Sequence, residues 1–517
     1  MSSPTPPGPD AAPGPDAAPG RDDARLGGDS LLLSLGRIAG LVSTLLLFIL
    51  LSRTLSPEAY GSFRQVWMIN KGLIEIFALG LPLSILYYLA RLRDAEKRQF
   101  IAQSLLLLCG GAAATALGIY LLADPIARAF GNPALAPLLR LFCVYPVLIA
   151  PSLAVESVLV AGGRVFQFAV FAVLTRTGVL AAGALVVVLG GGLGHLFGLI
   201  LAVGVLEISA AFLLLRAAAR SFDVADRPGE LARRPTVREQ FAVALPSGLS
   251  NMVGIINQEL DKLIIAGSFS VAQFARYANG AMEIPLLGTI VSSVSTVLMP
   301  EFTRRYYAGD RAGVLRLWHD SVCNVGLLQF PVLIFFGVYA TEVIVLLFSD
   351  VYRESAVIFQ IYIVATLPKL TWYGTLLVAI GRRKAPFYGS LVALGLNLVL
   401  NVLLIRWIGF VGPAIATTIA SYGVTVFYLS RIRSALDVGW LDVFPWLRLA
   451  RILSVAGACA VAFPVVARLS ALPDWLHLAL AGGVYVGMVL LAYRLLGLLE
   501  WTDVRNALAS LRPGGPA

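Results

Sequence analysis

SRTLSPEAYGSF (Ser52–Phe63) is echoed 214 residues later by AGSFSVAQFARY (Ala266–Tyr277), and LVAGGR (Leu159–Arg164) is echoed 218 residues later by LVAIGR (Leu377–Arg382). At the second offset AFGNPALAPLL, from Ala129, faces LFSDVYRESAV, from Leu347. The identities are sparse, but they keep their order and a near-constant spacing, as an internal duplication does. Each copy is embedded in long apolar runs, so the repeated unit is a set of membrane-crossing helices.

Composition agrees. The chain has 517 residues, 58% of them hydrophobic and only 14% charged, and its mean hydropathy is +0.82. Soluble domains carry about 25% charged residues, so an ordinary cytosolic enzyme is excluded. The sequence predicts an all-α polytopic membrane protein with about 14 transmembrane helices. The spans read as 31–52, 62–90, 98–122, 136–160, 166–189, 194–217, 242–268, 272–300, 318–340, 355–379, 386–406, 410–431, 448–469 and 475–497. The second and eighth exceed what a bilayer needs, which predicts tilt or a break. Six spans per repeat make the halves parallel: two six-helix bundles around a central cavity, plus two C-terminal helices. The organisation that follows is a disordered tail (1–29), a first bundle (30–218), a basic linker (219–240), a second bundle (241–433), two extra helices (434–500) and a tail (501–517). The first tail carries PGPDAA twice and too little apolar surface to fold; no cleavable signal peptide is expected ahead of Leu31.

Charge sets the orientation. With both termini in the cytoplasm, 27 basic residues fall on the cytoplasmic side and 6 outside, the bias expected of a multi-pass inner-membrane protein. The net charge of +10 is therefore a topology signal, and no nucleic-acid partner is implied. Seven basic residues remain inside spans: Arg37, Arg64, Lys71, Arg176, Lys262, Arg276 and Lys369. The four cysteines lie in apolar runs without paired spacing, and the three histidines are scattered, so neither a disulfide framework nor a metal site is expected.

Four segments carry a resemblance: LSRTLSPEAYGSF (Leu51–Phe63), ELDKLIIAGSFS (Glu259–Ser270), STVLMPEFTRRYYAGD (Ser295–Asp310) and GFVGPAIATTIASY (Gly409–Tyr422). With them the chain, over about residues 30–500, resembles the oligosaccharide flippases, of O-antigen and exopolysaccharide type, in the multidrug/oligosaccharidyl-lipid/polysaccharide exporter superfamily. The resemblance implies movement of an undecaprenyl-pyrophosphate-linked oligosaccharide from the inner to the outer leaflet by alternating access, without cofactor or catalytic residues. It also implies a polysaccharide polymerase and a chain-length regulator as partners. A peptidoglycan-precursor flippase and a multidrug or cation-coupled exporter are the alternatives on the same fold; a membrane glycan polymerase or ligase is the alternative of another class. An exporter of cations calls for an acidic cavity, whereas bases predominate here. A polymerase calls for a large external loop, and none is visible.

A flippase needs cations for the pyrophosphate, and charges inside spans mark functional positions by default. Arg37, Arg64, Lys71, Lys262, Arg276 and Lys369 are the candidate substrate-binding residues; Glu75, Glu259, Asp261 and Glu283 are the candidate ion-coupling acids. Arg64, Lys71 and Glu75 share one helical face, as do Arg276, Asn279 and Glu283. Other readings stand beside these. Arg37, Arg64 and Arg276 lie near span ends and can snorkel to headgroups. Lys71 can pair with Glu75, and Lys262 with Glu259 or Asp261. Lys369 follows Pro368 and has no acid within a turn. Tyr60, Trp67, Tyr277, Trp372 and Tyr373 are candidates for stacking on sugar rings. Arg176, Glu156 and Glu207 are single charges set aside from the site.

Overall fold

A computed structural model describes residues 21–225, 231, 233–462 and 473–499. The first half consists of α1 (Arg21–Thr54), α2 (Pro57–Phe77), α3 (Leu81–Leu89), α4 (Asp94–Ala129), α5 (Leu135–Phe142), α6 (Tyr145–Ile149), α7 (Ser152–Ala161), α8 (Val165–Val188) and α9 (Leu193–Ala225). The second consists of α10 (Val237–Ser268), α11 (Val271–Gly280), α12 (Pro285–Tyr307), α13 (Arg311–Val338), α14 (Ala340–Phe348), α15 (Ser355–Thr366), α16 (Tyr373–Ala379), α17 (Ala385–Ile408) and α18 (Gly412–Leu436). Two more helices follow, α19 (Trp446–Ala462) and α20 (Asp474–Leu495), packed on α13.

Among the described residues eight helical stretches are long and apolar enough to cross a membrane, or nine with the bent pair of α2 and α3. One of the eight, Ala385–Leu436, is a hairpin, because α17 and α18 pack along each other. The expected count of fourteen is therefore not reached by length and apolarity alone. The shortfall has physical causes: several expected spans are broken or polar, and residues 463–469 of the thirteenth lie outside the described residues. So do the N-terminal tail through residue 20, part of the basic linker and the tail 501–517.

The breaks are written in the sequence. The second expected span bends by 42° between α2 and α3, where Gly80 takes φ +72° ahead of Pro82. Left-handed backbone is open to glycine at no steric cost. The eighth breaks between Gly280 and Pro285; Ile284, preceding the proline, is extended at φ −74°, ψ 110°, because proline disfavours helical backbone in the residue before it. The tenth breaks between α15 and α16, at Leu367–Trp372 around Pro368.

The cores show how the halves meet. At the end where α1 gives way to α2, one apolar core runs across both halves, joining Leu47, Tyr60 and Phe63 to Ile344, Phe348 and Tyr352. At the opposite end there are two cores: one around Ile85, Phe100 and Val158, which takes in Ala244 of α10, and another around Trp318, Leu376 and Ile432 in the second half. Backbones approach closely along the seam of α2 and α3 with α10 and α11. A β-carbon on Gly61 would lie 2.4 Å from the Val271 carbonyl oxygen, and one on Gly248 2.4 Å from the Leu79 carbonyl carbon. On the opposite seam α1 touches α12 and α14 sparsely.

Candidate functional site

The broken helices of the second half bring two charges together. Glu283 lies in the α11–α12 break and Lys369 in the α15–α16 break; Lys369 Nζ donates to Glu283 Oε1 at 2.7 Å. Both side chains stay accessible, at 48% and 52%. Non-helical backbone at membrane depth is tolerated where it is packed in protein or lines a water-filled cavity. An accessible charge pair on such backbone is what a water-lined wall requires. Lys262 is the next electrostatic neighbour of Glu283, and its Nζ donates to Glu259 Oε2 at 2.8 Å. Lys262 thus takes Glu259 rather than Asp261 as its ionic partner.

Asp261 is elsewhere. It is fully buried, accepts the Tyr277 hydroxyl at 2.7 Å and the Tyr362 hydroxyl on Oδ2, and receives the Lys262 amide on Oδ1 at 2.8 Å. It ties α10 to α11 and α15 from within.

The first half carries a counterpart. Arg37 Nη2 donates to Glu156 Oε1 at 2.5 Å, both exposed, and Glu207 has Arg176 as its nearest opposite charge. The single charges Glu156, Arg176 and Glu207, set aside on sequence, therefore each have an opposite charge as partner: Glu156 on α7 with Arg37 on α1, and Glu207 on α9 with Arg176 on α8. Their signal was only the cost of a charge inside a span.

On α2 the predicted face is confirmed, but its members diverge. Arg64 is engaged by protein: it donates to Tyr60 Oη at 2.8 Å, Asn279 Oδ1 at 3.1 Å and the Ala278 carbonyl at 3.1 Å, and its guanidinium lies 4.2 Å over the Phe48 ring. It touches α1 and α11 at once, so this face of α2 looks between the halves. Lys71, two turns further on the same face, is exposed. Among the described residues no ion pair joins it to Glu75 or to any other acid. Arg276 donates to Glu354 Oε2 at 3.1 Å, and its main-chain carbonyl accepts Ser355 Oγ at 2.6 Å. The geometry links Lys262, Glu259, Glu283 and Lys369 in the second half, and leaves Lys71 exposed on α2. It diverts Arg64 and Arg276 into structural bonds.

One contact between the halves was missed on sequence. Arg53, at the last turn of α1, donates to the carbonyls of Leu347 at 2.9 Å and of Leu346 at the end of α14. It read as an external-loop base because nothing local marks a partner 294 residues away. At the other end of the molecule Tyr88 donates to the Glu239 carbonyl at 3.0 Å, and Gln240 donates to Ser104 Oγ at 2.8 Å.

Two helical halves meeting at broken, charged spans define a multi-pass membrane protein with a transporter-type fold. A family model described as polysaccharide biosynthesis protein matches residues 50–357, and the chain belongs to that family. No curated protein sequence matches it. Among solved structures it is similar to a lipid II flippase, MurJ, in an inward closed conformation: TM-score 0.69, 15% identity, covering 90% of this chain and 99% of that one. It is also similar to a multidrug resistance MATE family transporter of the MOP superfamily in an inward-facing conformation (0.58, 15%, 77% and 96%). A third likeness is to the Vibrio cholerae MATE transporter VcmN (0.55, 15%, 81% and 99%). At these identities the likeness is one of fold.

Proposed function

We propose that this protein moves a lipid-linked, pyrophosphate-bearing oligosaccharide from the inner to the outer leaflet of the bacterial plasma membrane, with both termini in the cytoplasm. The observation that carries the reading is the accessible Lys369–Glu283 pair on two broken helices. An arriving diphosphate displaces Glu283 as the partner of Lys369, and Lys71 offers a second cation from the opposite half. Lysines are compact point charges that release an anion more readily than a bidentate arginine clamp. Glu283, released, becomes free to take a proton or a cation.

The single core at the Thr54 end and the split cores at the Arg91 end suit a chamber facing inward, since the 27-to-6 bias puts the Thr54 end outside. The sparse contact of α1 with α12 suits lateral entry of the polyprenyl tail while the headgroup enters the chamber. Translocation outward then requires Arg53 and Arg64 to release the other half. An anion leaving an inside-negative cell moves with the potential, about 2.3 kcal/mol per charge per 100 mV. No step in this cycle makes or breaks a covalent bond, so the proposal is a transporter and not an enzyme.

The test is reconstitution of the full chain in liposomes loaded asymmetrically with a polyprenyl-pyrophosphate-linked oligosaccharide. Protein-dependent appearance of the sugar in the opposite leaflet, abolished by Lys369→Glu, is the expected result. Transport of a lipophilic cation with no movement of the glycolipid would replace this reading with the exporter. A lipid-linked peptidoglycan precursor, offered in a parallel arm, separates the two glycolipid classes.

A further inference from the structure

Five aromatic residues stood as sugar-stacking candidates, and the fold separates them. Tyr60 and Tyr277 are fully buried, each with its hydroxyl bonded inside the protein. Tyr373 is buried at 6% exposure, its hydroxyl donating to the Pro368 carbonyl at 2.9 Å. Trp67 is packed among Phe48, Phe63 and Tyr145. Trp372 alone of the five is open, at 56% exposure.

Its position gives that exposure a meaning. Trp372 closes the same irregular stretch, Leu367–Trp372, that carries Lys369. Its backbone amide donates to Ser295 Oγ on α12 at 3.1 Å, and Ser295 is itself buried. The indole is thus anchored to the helix whose preceding break supplies Glu283. The segment lies inside its expected span, 355–379. An irregular stretch that sets an accessible cation three residues from an open indole offers one group for a diphosphate and one for the ring attached to it. Aromatic faces pack against flat apolar surfaces, and a pyranose presents such a surface along its axial C–H bonds.

We infer that Trp372 forms a sugar subsite, stacking on the first sugar of the lipid-linked substrate while Lys369 holds the pyrophosphate. This rests on the function proposed above and adds a claim of its own: part of the recognition is of the sugar rather than of the diphosphate. The residue is selective for ring shape rather than for a hydroxyl pattern, so the substrate class is glycosylated polyprenyl pyrophosphate with a pyranose at the reducing end.

The experiment measures binding of two lipids to the purified full chain in nanodiscs: a polyprenyl pyrophosphate, and the same lipid bearing one pyranose. Trp372→Ala is expected to weaken binding of the glycosylated lipid by about fivefold, within the range of an aromatic contact, and to leave the bare lipid unchanged. Trp372→Phe should recover most of that affinity. Equal losses for both lipids would make Trp372 a prop for the Lys369 loop and overturn the subsite. So would unchanged affinity for both. The bare lipid also reports folding, since a misfolded variant loses it as well; in that case Trp372→Phe decides, because a subsite requires it to keep the preference of the wild type for the glycosylated lipid. If the wild type binds neither lipid, the proposed function itself falls.

Discussion

Arg53 donates its guanidinium to the carbonyl of Leu347 at 2.9 Å, joining the last turn of α1 to the C-terminal end of α14 in the other half. The last carbonyls of a helix lack intrahelical partners and carry the negative end of its dipole, so a cation there satisfies both deficits. The bond spans the sparse seam at that end, the place that must part for outward opening in the proposed cycle.

Arg53→Gln should therefore favour the outward-open state. Losing a charge-assisted bond of about 1.5–3 kcal/mol shifts a two-state equilibrium by roughly 10- to 150-fold. Alkylation of a cysteine placed at Lys71 from the outer side should rise accordingly, while Arg53→Lys should stay near the wild type. No rise for Arg53→Gln would show that the cap contributes nothing to closure.

The Lys369–Glu283 pair allows structure and transport to be separated by a charge swap. Lys369→Glu alone sets two carboxylates together and should abolish glycolipid export. Adding Glu283→Lys restores an ion pair and, with it, membrane abundance, but moves the cation to the other helix break. Export from the double variant is expected to stay at least tenfold below wild type in surface-glycan assays at matched abundance. Normal export by the swap would mean that a cation anywhere in the chamber suffices.

Asp261 is predicted to matter for stability before it matters for transport. Its carboxylate receives three donors in a buried site, and an unsatisfied buried donor or acceptor costs about 1–3 kcal/mol. Asp261→Ala should lower the unfolding temperature of the detergent-purified protein by several degrees. Tyr277→Phe and Tyr362→Phe should each lower it less than the double replacement does. An unchanged melting curve for Asp261→Ala would remove it from the structural framework.

At the start of α10, ahead of the expected span 242–268, Thr236 and Glu239 form a capping box. The Arg233 side chain and the Thr236 amide, both hydrogen-bonded to Glu239, hold its carboxyl at about 2, below an ordinary value of 4.5. A lowered carboxylate stabilises the folded form above its unfolded value and loses that contribution as pH falls toward the folded one. Amide protection across 237–240, taken relative to the intrinsic exchange rate at each pH, should accordingly fall between about pH 4.5 and 2. In Arg233→Ala the low end of that window should move upward toward 4.5, and the loss across it should shrink. The same profile in both proteins would sever the link between Arg233 and the cap.

Much of this was legible in residues read one helix at a time. Apolar runs announce spans, since lipid offers backbone groups no partner and forces them into helices. Gly80, Pro285 and Pro368 announce the breaks, because glycine and proline alter the backbone locally. The in-span charges mark the positions where exposure to lipid is costly. The repeat of SRTLSPEAYGSF as AGSFSVAQFARY announced the two halves, and the helix order of the second half follows that of the first.

Partnership was the part that only tertiary structure decided. Lys369 has no acid within a turn, yet Glu283 meets it from 86 residues away. Arg64 and Lys71 share a face, yet one is consumed by Asn279 and the other left open. Tyr373 and Trp372 are adjacent, yet one is sealed and the other exposed. Helical periodicity tells which side chains share a side of their own helix. Which neighbour that side meets depends on how broken spans from two halves pack, and that is set by the summed burial of many distant apolar contacts rather than by any local run of residues.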